Sequence, residues 1–327
     1  MIVHFNVRGD LNGGGPSIWV SKATKELQHR GIKVVFDSPA KADWAIGIIE
    51  SGKILRQIDR HKTKVMIRID GIYNAEYNKL FNRSIRPDMS ALHTKLKSDI
   101  QTVDRIVYQS QWSKDRIDEE IMKCPNNNWY IIPNGTDTSL FCPGPKPNDD
   151  TINLLCLGKM RDGYLMRTLI AAYKETKDRG IKCRLLLAGS MDGACQIELV
   201  KGKDDGIVYL GQFKNNKTVQ SYNVGDIFLG ARQGSSSDNV ISEAQACGLP
   251  CIIPSWSGNT DLIKDRETGI IVQTGHWTYD QQYIQGITEA IIEIAKDLPG
   301  FKLRARKHAI EELSVGKMMD KYLEVMR

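Results

Sequence analysis

Ser236-Ser237-Asp238-Asn239-Val240-Ile241-Ser242-Glu243-Ala244-Gln245-Ala246-Cys247-Gly248-Leu249-Pro250 runs from a polar loop through a short helix to a helix stop. Asp238 or Ser237 is suited to cap the helix, whose first N–H groups have no acceptor within it. The positive end of the helix dipole adds to those groups, so this end favours a phosphate. Glu243 lies about one turn further in, at ~1.5 Å rise per residue, within reach of a ligand held there. Gly248 and Pro250 then end the helix, and the apolar run Cys251-Ile252-Ile253 reads as a buried strand.

The same alternation of strand and helix extends in both directions. Before the proline-rich segment Pro143-Gly144-Pro145-Lys146-Pro147, the runs 2–7, 33–36, 44–49, 65–69, 105–108 and 129–132 read as strands. Helical patterns at 17–28, 91–101 and 113–122 separate several of them. After it, strands are expected at 152–157, 184–187, 207–210, 226–229, 250–253 and 269–272, with helices at 164–177, 240–246 and 283–296. Such an order predicts an α/β protein of two Rossmann-like, doubly wound parallel sheets, with ligands at the carboxyl ends of the strands. At 327 residues the chain is long enough for two domains. The expected division is 1–147, 148–300 and a C-terminal helical piece, 301–327, that crosses back to the first domain.

Composition narrows the classes further. No apolar run approaches the ~18 residues of a membrane span, and no basic segment followed by an apolar core opens the chain, so secretion is not expected. Seven cysteines, an odd number with no Cys-x-x-Cys pair, suit a reduced cytoplasmic interior. The whole net charge of +6 is carried by the first 147 residues. It reads either as ordinary surface variation or as attraction to an acidic acceptor or an anionic membrane surface. Without interleaved aromatic and basic residues, it does not read as a nucleic-acid module.

Two loops have the composition for close ligand approach. The first strand opens into Arg8-Gly9-Asp10-Leu11-Asn12-Gly13-Gly14-Gly15-Pro16, where Gly13, Gly14 and Gly15 remove side chains that would hold a ligand off the backbone. The loop fits neither the dinucleotide fingerprint nor a P-loop, and a plain turn explains it equally well. In the second half, Leu157-Gly158-Lys159-Met160-Arg161 ends a strand in glycine and two cations, placed to neutralise a diphosphate. Leu187-Ala188-Gly189-Ser190 and Tyr209-Leu210-Gly211-Gln212-Phe213 close two further strands, and Gln212 and Phe213 offer a wall for a base.

Taken in order, the glycine-rich first loop, Ile132-Pro133-Asn134-Gly135-Thr136-Asp137 with Phe141 and Pro143, Leu157-Gly158-Lys159, and Ser242-Glu243-Ala244-Gln245-Ala246-Cys247-Gly248-Leu249-Pro250 resemble the family 4, or "group 1", retaining glycosyltransferases. The resemblance spans nearly the whole chain. It implies the GT-B fold, two facing Rossmann-like domains with a cleft between them. It also implies transfer of a sugar from a UDP- or GDP-sugar to the hydroxyl of a glycan, lipid-linked or small-molecule acceptor, with retention and without a metal or other cofactor. By position, Glu243 matches the second acid of the family's glutamate pair and would hold the donor ribose. The backbone N–H groups of Asp238, Asn239 and Val240 would face the diphosphate, Lys159 and Arg161 would neutralise the leaving group, and Gly13, Gly14, Gly15 and Gly158 would approach the donor. Ser257 and Gly258 resemble the turn beside the transferred sugar, and Asp70 falls near the reacting centre.

Three departures accompany the resemblance. The first glutamate of the pair falls at Ser235, which leaves open a different donor sugar or a nucleotide-sugar-binding pseudoenzyme. The family's Arg and Lys-Gly are only approximated by Lys159, Arg161 and Asp162-Gly163, with Arg167 as an alternative cation. The N-terminal half is short for the family. Since no Asp-x-Asp triplet or close histidine cluster occurs, no divalent metal is expected. The basic segment Lys302–His308 is expected to be helical, with a peripheral membrane-surface contact as its sharper reading.

Overall fold

The computed structural model describes residues 1–10, 14–48, 52–69, 71, 89–125, 127–145, 150–212 and 218–327. They fall into two compact units, 1–135 with 315–327, and 136–314. Each contains a six-stranded parallel sheet. In the first unit the strands are β1 (Ile2–Phe5), β2 (Lys33–Val35), β3 (Trp44–Ile48), β4 (Lys64–Ile69), β5 (Arg105–Tyr108) and β6 (Trp129–Ile131), in the order β2-β1-β3-β4-β5-β6. In the second they are β7 (Ile152–Leu157), β8 (Cys183–Ala188), β9 (Ile207–Tyr209), β10 (Ile227–Leu229), β11 (Cys251–Pro254) and β12 (Gly269–Val272), in the order β12-β11-β10-β7-β8-β9.

All twelve expected strands form. Their runs are legible because strands covered by helices on both faces are mostly apolar. Val65, Met66 and Ile67 of β4 are fully buried, as are Leu154 and Leu155 of β7. The expected helices form at Gly15–His29, Met89–Thr102, Gln111–Glu120, Gly163–Asp178, Asn239–Ala246 and Gln281–Lys296. Gly193–Lys201 and Thr218–Asn223 are helices that the sequence reading did not predict. All seven cysteines are free, and no helix among the described residues is long and apolar enough to cross a membrane.

The chain passes between units at Gly135–Thr136 rather than at residue 147, and the motif Asn134-Gly135-Thr136-Asp137 is divided by that step. Asn134 is anchored in the first unit. Its Oδ1 accepts from Arg68 Nη2 at 2.7 Å, and its Nδ2 donates to Gln109 Oε1 at 2.9 Å. Arg68 is 1% exposed at the end of β4, with its guanidinium 4.5 Å from the Trp19 ring centroid. Burial pushes its pKa down to about 10, which leaves it charged at neutral pH. Asp137, in the second unit, accepts at Oδ1 from the N–H groups of Ser139 and Leu140, each at 3.1 Å. That short polar turn starts the next segment.

The C-terminal segment also divides. The helix Leu298–Glu312 belongs to the second unit, and the helix Val315–Val325 packs in the first. Met318 Sδ accepts from both Trp19 Nε1 and the Gly135 N–H, each at 3.1 Å. The basic segment is therefore in the second unit, where three of its cations are bonded: Lys302 with Asp226, Arg304 with Asp297 at the surface, and Arg306 with backbone carbonyls. Replacing Asn134 by Ala removes an acceptor from a buried cation and is expected to cost about 1–3 kcal/mol. Denaturant unfolding reads this as a lowered midpoint, and an unchanged midpoint would show that Arg68 does not depend on Asn134.

Candidate active site

The second sheet read from its other edge is β9-β8-β7-β10-β11-β12, the 3-2-1-4-5-6 order of nucleotide-binding doubly wound sheets. Helices leave β7 and β10 toward opposite faces, so a crevice opens outside the carboxyl ends of these two neighbouring strands. A cavity of about 150 Å³ occupies that place. Gly158 and Lys159 line it from the end of β7, Ala231 and Arg232 from the end of β10, and Asp238, Asn239 and Val240 from the start of the next helix.

Backbone geometry at the end of β7 depends on glycine. Gly158 has φ +137° and donates its N–H to Ala188 O at 2.9 Å. Gly189 has φ +119°, and a Cβ added there would lie 2.0 Å from Gly158 O. Side chains are thereby excluded where β7 and β8 end, which leaves the main chain open beside the cavity.

The helix Asn239–Ala246 starts differently from the sequence expectation. Asp238 occupies the N-cap position, but neither its side chain nor that of Ser237 caps the helix; Asp238 makes no side-chain cap bond. Asn259 holds it instead. Asn259 Oδ1 accepts the Asp238 N–H at 2.7 Å, and Asn259 Nδ2 donates to Asp238 Oδ2 at 3.0 Å. The carboxylate is thus drawn to Asn259, because a reciprocal pair satisfies both residues. Asn239 and Val240 present the first N–H groups of the helix, which by geometry have no acceptor four residues back.

Eight of the expected residues fall into two groups. Gly158, Lys159, Asp238, Asn239 and Val240 come together at the cavity. Ser235, Ser257 and Gly258 form a second, buried cluster: Ser235 O accepts from the Gly258 N–H at 2.7 Å and from Ser257 Oγ at 3.3 Å. Ser257 Oγ also accepts the Asn259 N–H at 3.1 Å, so this cluster runs directly into the Asn259 clamp. Arg161 is exposed and outside the cavity lining, and Gln212 is exposed beyond β9, two strands from β7. Arg167, the alternative cation, is engaged by both carboxylate oxygens of Glu198 at 3.0 Å. Gly14 and Gly15 begin the first helix of the other unit. Gly13, Asp70 and Phe213 lie outside the described residues.

Glu243 is half-buried and accepts a hydrogen bond at Oε2 from the Tyr222 hydroxyl, 2.8 Å away. It lies three and four residues beyond Val240 and Asn239, hence on their side of the helix. Among the described residues, no three His, Cys, Asp or Glu side chains gather as a metal would require.

Residues 151–297 match the family model described as glycosyl transferases group 1. This stretch is a group 1 glycosyltransferase domain. N-acetyl-alpha-D-glucosaminyl L-malate synthase of Bacillus anthracis is 28% identical over 148 residues, covering 43% of this chain and 36% of the relative. The chain spans less than half the length of that relative and of others like it. Sucrose-phosphate synthase from Thermosynechococcus elongatus superposes with a TM-score of 0.74 at 17% identity, covering 99% of this chain and 98% of that one. Anabaena HepE, solved with UDP and glucose, gives 0.70 at 14% identity over 99% and 98%. At these identities the superpositions carry the fold, which is GT-B.

In the group 1 domain, three residues that shape the site had escaped the sequence reading. Arg232 follows β10 just as Lys159 follows β7, and that symmetry was the available signal. Asn259 directly follows Ser257 and Gly258, and that adjacency was its only signal. Tyr222 gave no signal, since an aromatic in a short helix reads as core. Replacing Asn259 by Ala removes both bonds to Asp238 and is expected to lower stability by about 1–3 kcal/mol. A denaturation midpoint equal to that of the parent protein would show that the helix start holds without the clamp.

Proposed function

We propose that the chain is a retaining, metal-independent glycosyltransferase that moves a sugar from a UDP- or GDP-sugar to an acceptor hydroxyl on a glycan, a lipid-linked molecule or a small molecule. The observation that carries this reading is the switch-point cavity, where Lys159, Arg232 and the opening N–H groups of the Asn239–Ala246 helix converge. A nucleoside diphosphate leaving the sugar gathers negative charge on its terminal phosphate. Preorganised donors and cations aimed at that charge stabilise the transition state more than the ground state. The positive charge that a divalent ion would supply comes, in this reading, from Lys159, Arg232 and the helix end.

In the retaining route implied by the family, the sugar–phosphate bond breaks and the acceptor oxygen attacks the same face. The departing phosphate takes the acceptor proton. Binding of UDP and glucose by HepE, and the N-acetylglucosaminyl product named for the Bacillus anthracis relative, support a nucleotide-sugar donor. The cytoplasm, where such donors and free thiols persist, is the proposed setting.

Ser235 favours a second reading. The position that carries an acid in the family's pair holds a serine 5% exposed, whose carbonyl is already bonded to Ser257 and Gly258. A protein that binds a nucleotide sugar without transferring it would tolerate that loss. Transfer and donor-hydrolysis assays across UDP- and GDP-sugars, run with and without EDTA, separate the readings. The leading one predicts turnover that survives the chelator and falls about 10²-fold in Lys159→Ala and in Arg232→Ala. Binding with no turnover from any donor would favour the second reading, and turnover abolished by EDTA would contradict metal independence.

A further inference from the structure

Tyr222 is fully buried on the helix Thr218–Asn223, and its ring is held on two sides. Phe141 meets it edge-on, with centroids 5.8 Å apart and planes at 78°, while Phe228 of β10 lies 6.0 Å away at 39°. Its one polar atom donates to Glu243 Oε2 at 2.8 Å. Burial and the nearby Glu243 carboxylate push the Tyr222 pKa well up, so the phenol remains a donor at physiological pH.

Phe141 is itself fixed through its backbone. Arg306 Nη1 donates to Phe141 O at 2.8 Å and to Ala246 O at 2.6 Å, and Nη2 donates to Thr138 O at 3.1 Å. One guanidinium therefore ties the end of the helix that carries Glu243 to the segment that braces Tyr222. A glutamate on a helix surface otherwise samples several rotamers, and fixing it only when ligand arrives weakens binding.

We propose that Tyr222 is the positioning residue for Glu243, holding its carboxylate beforehand in the orientation that receives the ribose hydroxyls of a nucleoside diphosphate. This rests on the reading that Glu243 meets the donor ribose. Phe141, the aromatic that follows the Asn134–Asp137 motif, acts at one remove by bracing the tyrosine ring.

Calorimetric titration with UDP and GDP, each beside its 2′,3′-dideoxy counterpart, tests the inference on the intact chain. The parent protein is expected to prefer the ribonucleotide, and Glu243→Ala to erase that preference. Tyr222→Phe keeps the ring and removes only the hydroxyl, so thermal unfolding should show a folded protein. It is expected to reduce the ribose preference roughly three- to tenfold and to leave affinity for the dideoxy nucleotide unchanged. If Glu243→Ala erases the preference while Tyr222→Phe retains all of it, or weakens both nucleotides equally, the positioning role is overturned and the ribose reading stands. If Glu243→Ala leaves the preference intact, or neither UDP nor GDP binds the parent protein, the ribose reading fails and the inference with it.

Discussion

The helix Asn239–Ala246 is held at both ends, and the geometry of the candidate site depends on that restraint. At its start, Asn259 grips the backbone and the carboxylate of Asp238. At its end, Arg306 donates to Ala246 O, and Gln245 is shared between Leu262 O at 2.7 Å and the buried His308 ring at 3.0 Å. An eight-residue helix has little stability of its own in water. These tertiary bonds fix its direction, and with it the aim of the N–H groups at Asn239 and Val240. Using Asn259 in place of a side-chain cap keeps the Asp238 carboxylate from taking the place a phosphate would use.

Sheet order supplies the remaining geometry. Neighbouring strands β7 and β10 send their chains to opposite faces, which opens the crevice that the helix start then faces. The glycines at 158 and 189 let the backbone turn away within van der Waals contact, so the crevice is bounded by main chain as well as by Lys159 and Arg232. Burial of β7 between β8 and β10 makes this frame rigid, whereas the cations sit on loops exposed to solvent. A buried main-chain frame with exposed cations at its rim would suit a ligand that must enter, react and leave.

Much of this was legible in the sequence for a physical reason. Parallel strands covered on both faces are near-continuous apolar runs, so β4, β7 and β11 announce themselves despite Arg68 and Asn153, and glycine after such a run marks a close turn. The helix stop at Gly248, with φ +79°, was legible for the same cause: a left-handed residue favours glycine. Pairings over long separations were not legible. Asp238 looked like a cap because caps are local, and its partner Asn259 lies on a later turn. Arg167 looked available until Glu198, on a helix with no marked apolar stripe, was found beside it. Arg306 read as part of a basic helix with a membrane-surface contact as its sharper reading, although its guanidinium bonds three carbonyls. Tyr222 and Glu243 meet only because β10 brings their two helices together.

The central claim is that the crevice between the ends of β7 and β10 receives the diphosphate of the donor. A crystal structure of the chain soaked separately with UDP and GDP tests it most directly. The account predicts diphosphate density within hydrogen-bond distance, about 3 Å, of the N–H groups at Asn239 and Val240, with Lys159 and Arg232 turned toward it. A nucleotide bound elsewhere, or a crevice left empty at saturating concentrations of both, would contradict it.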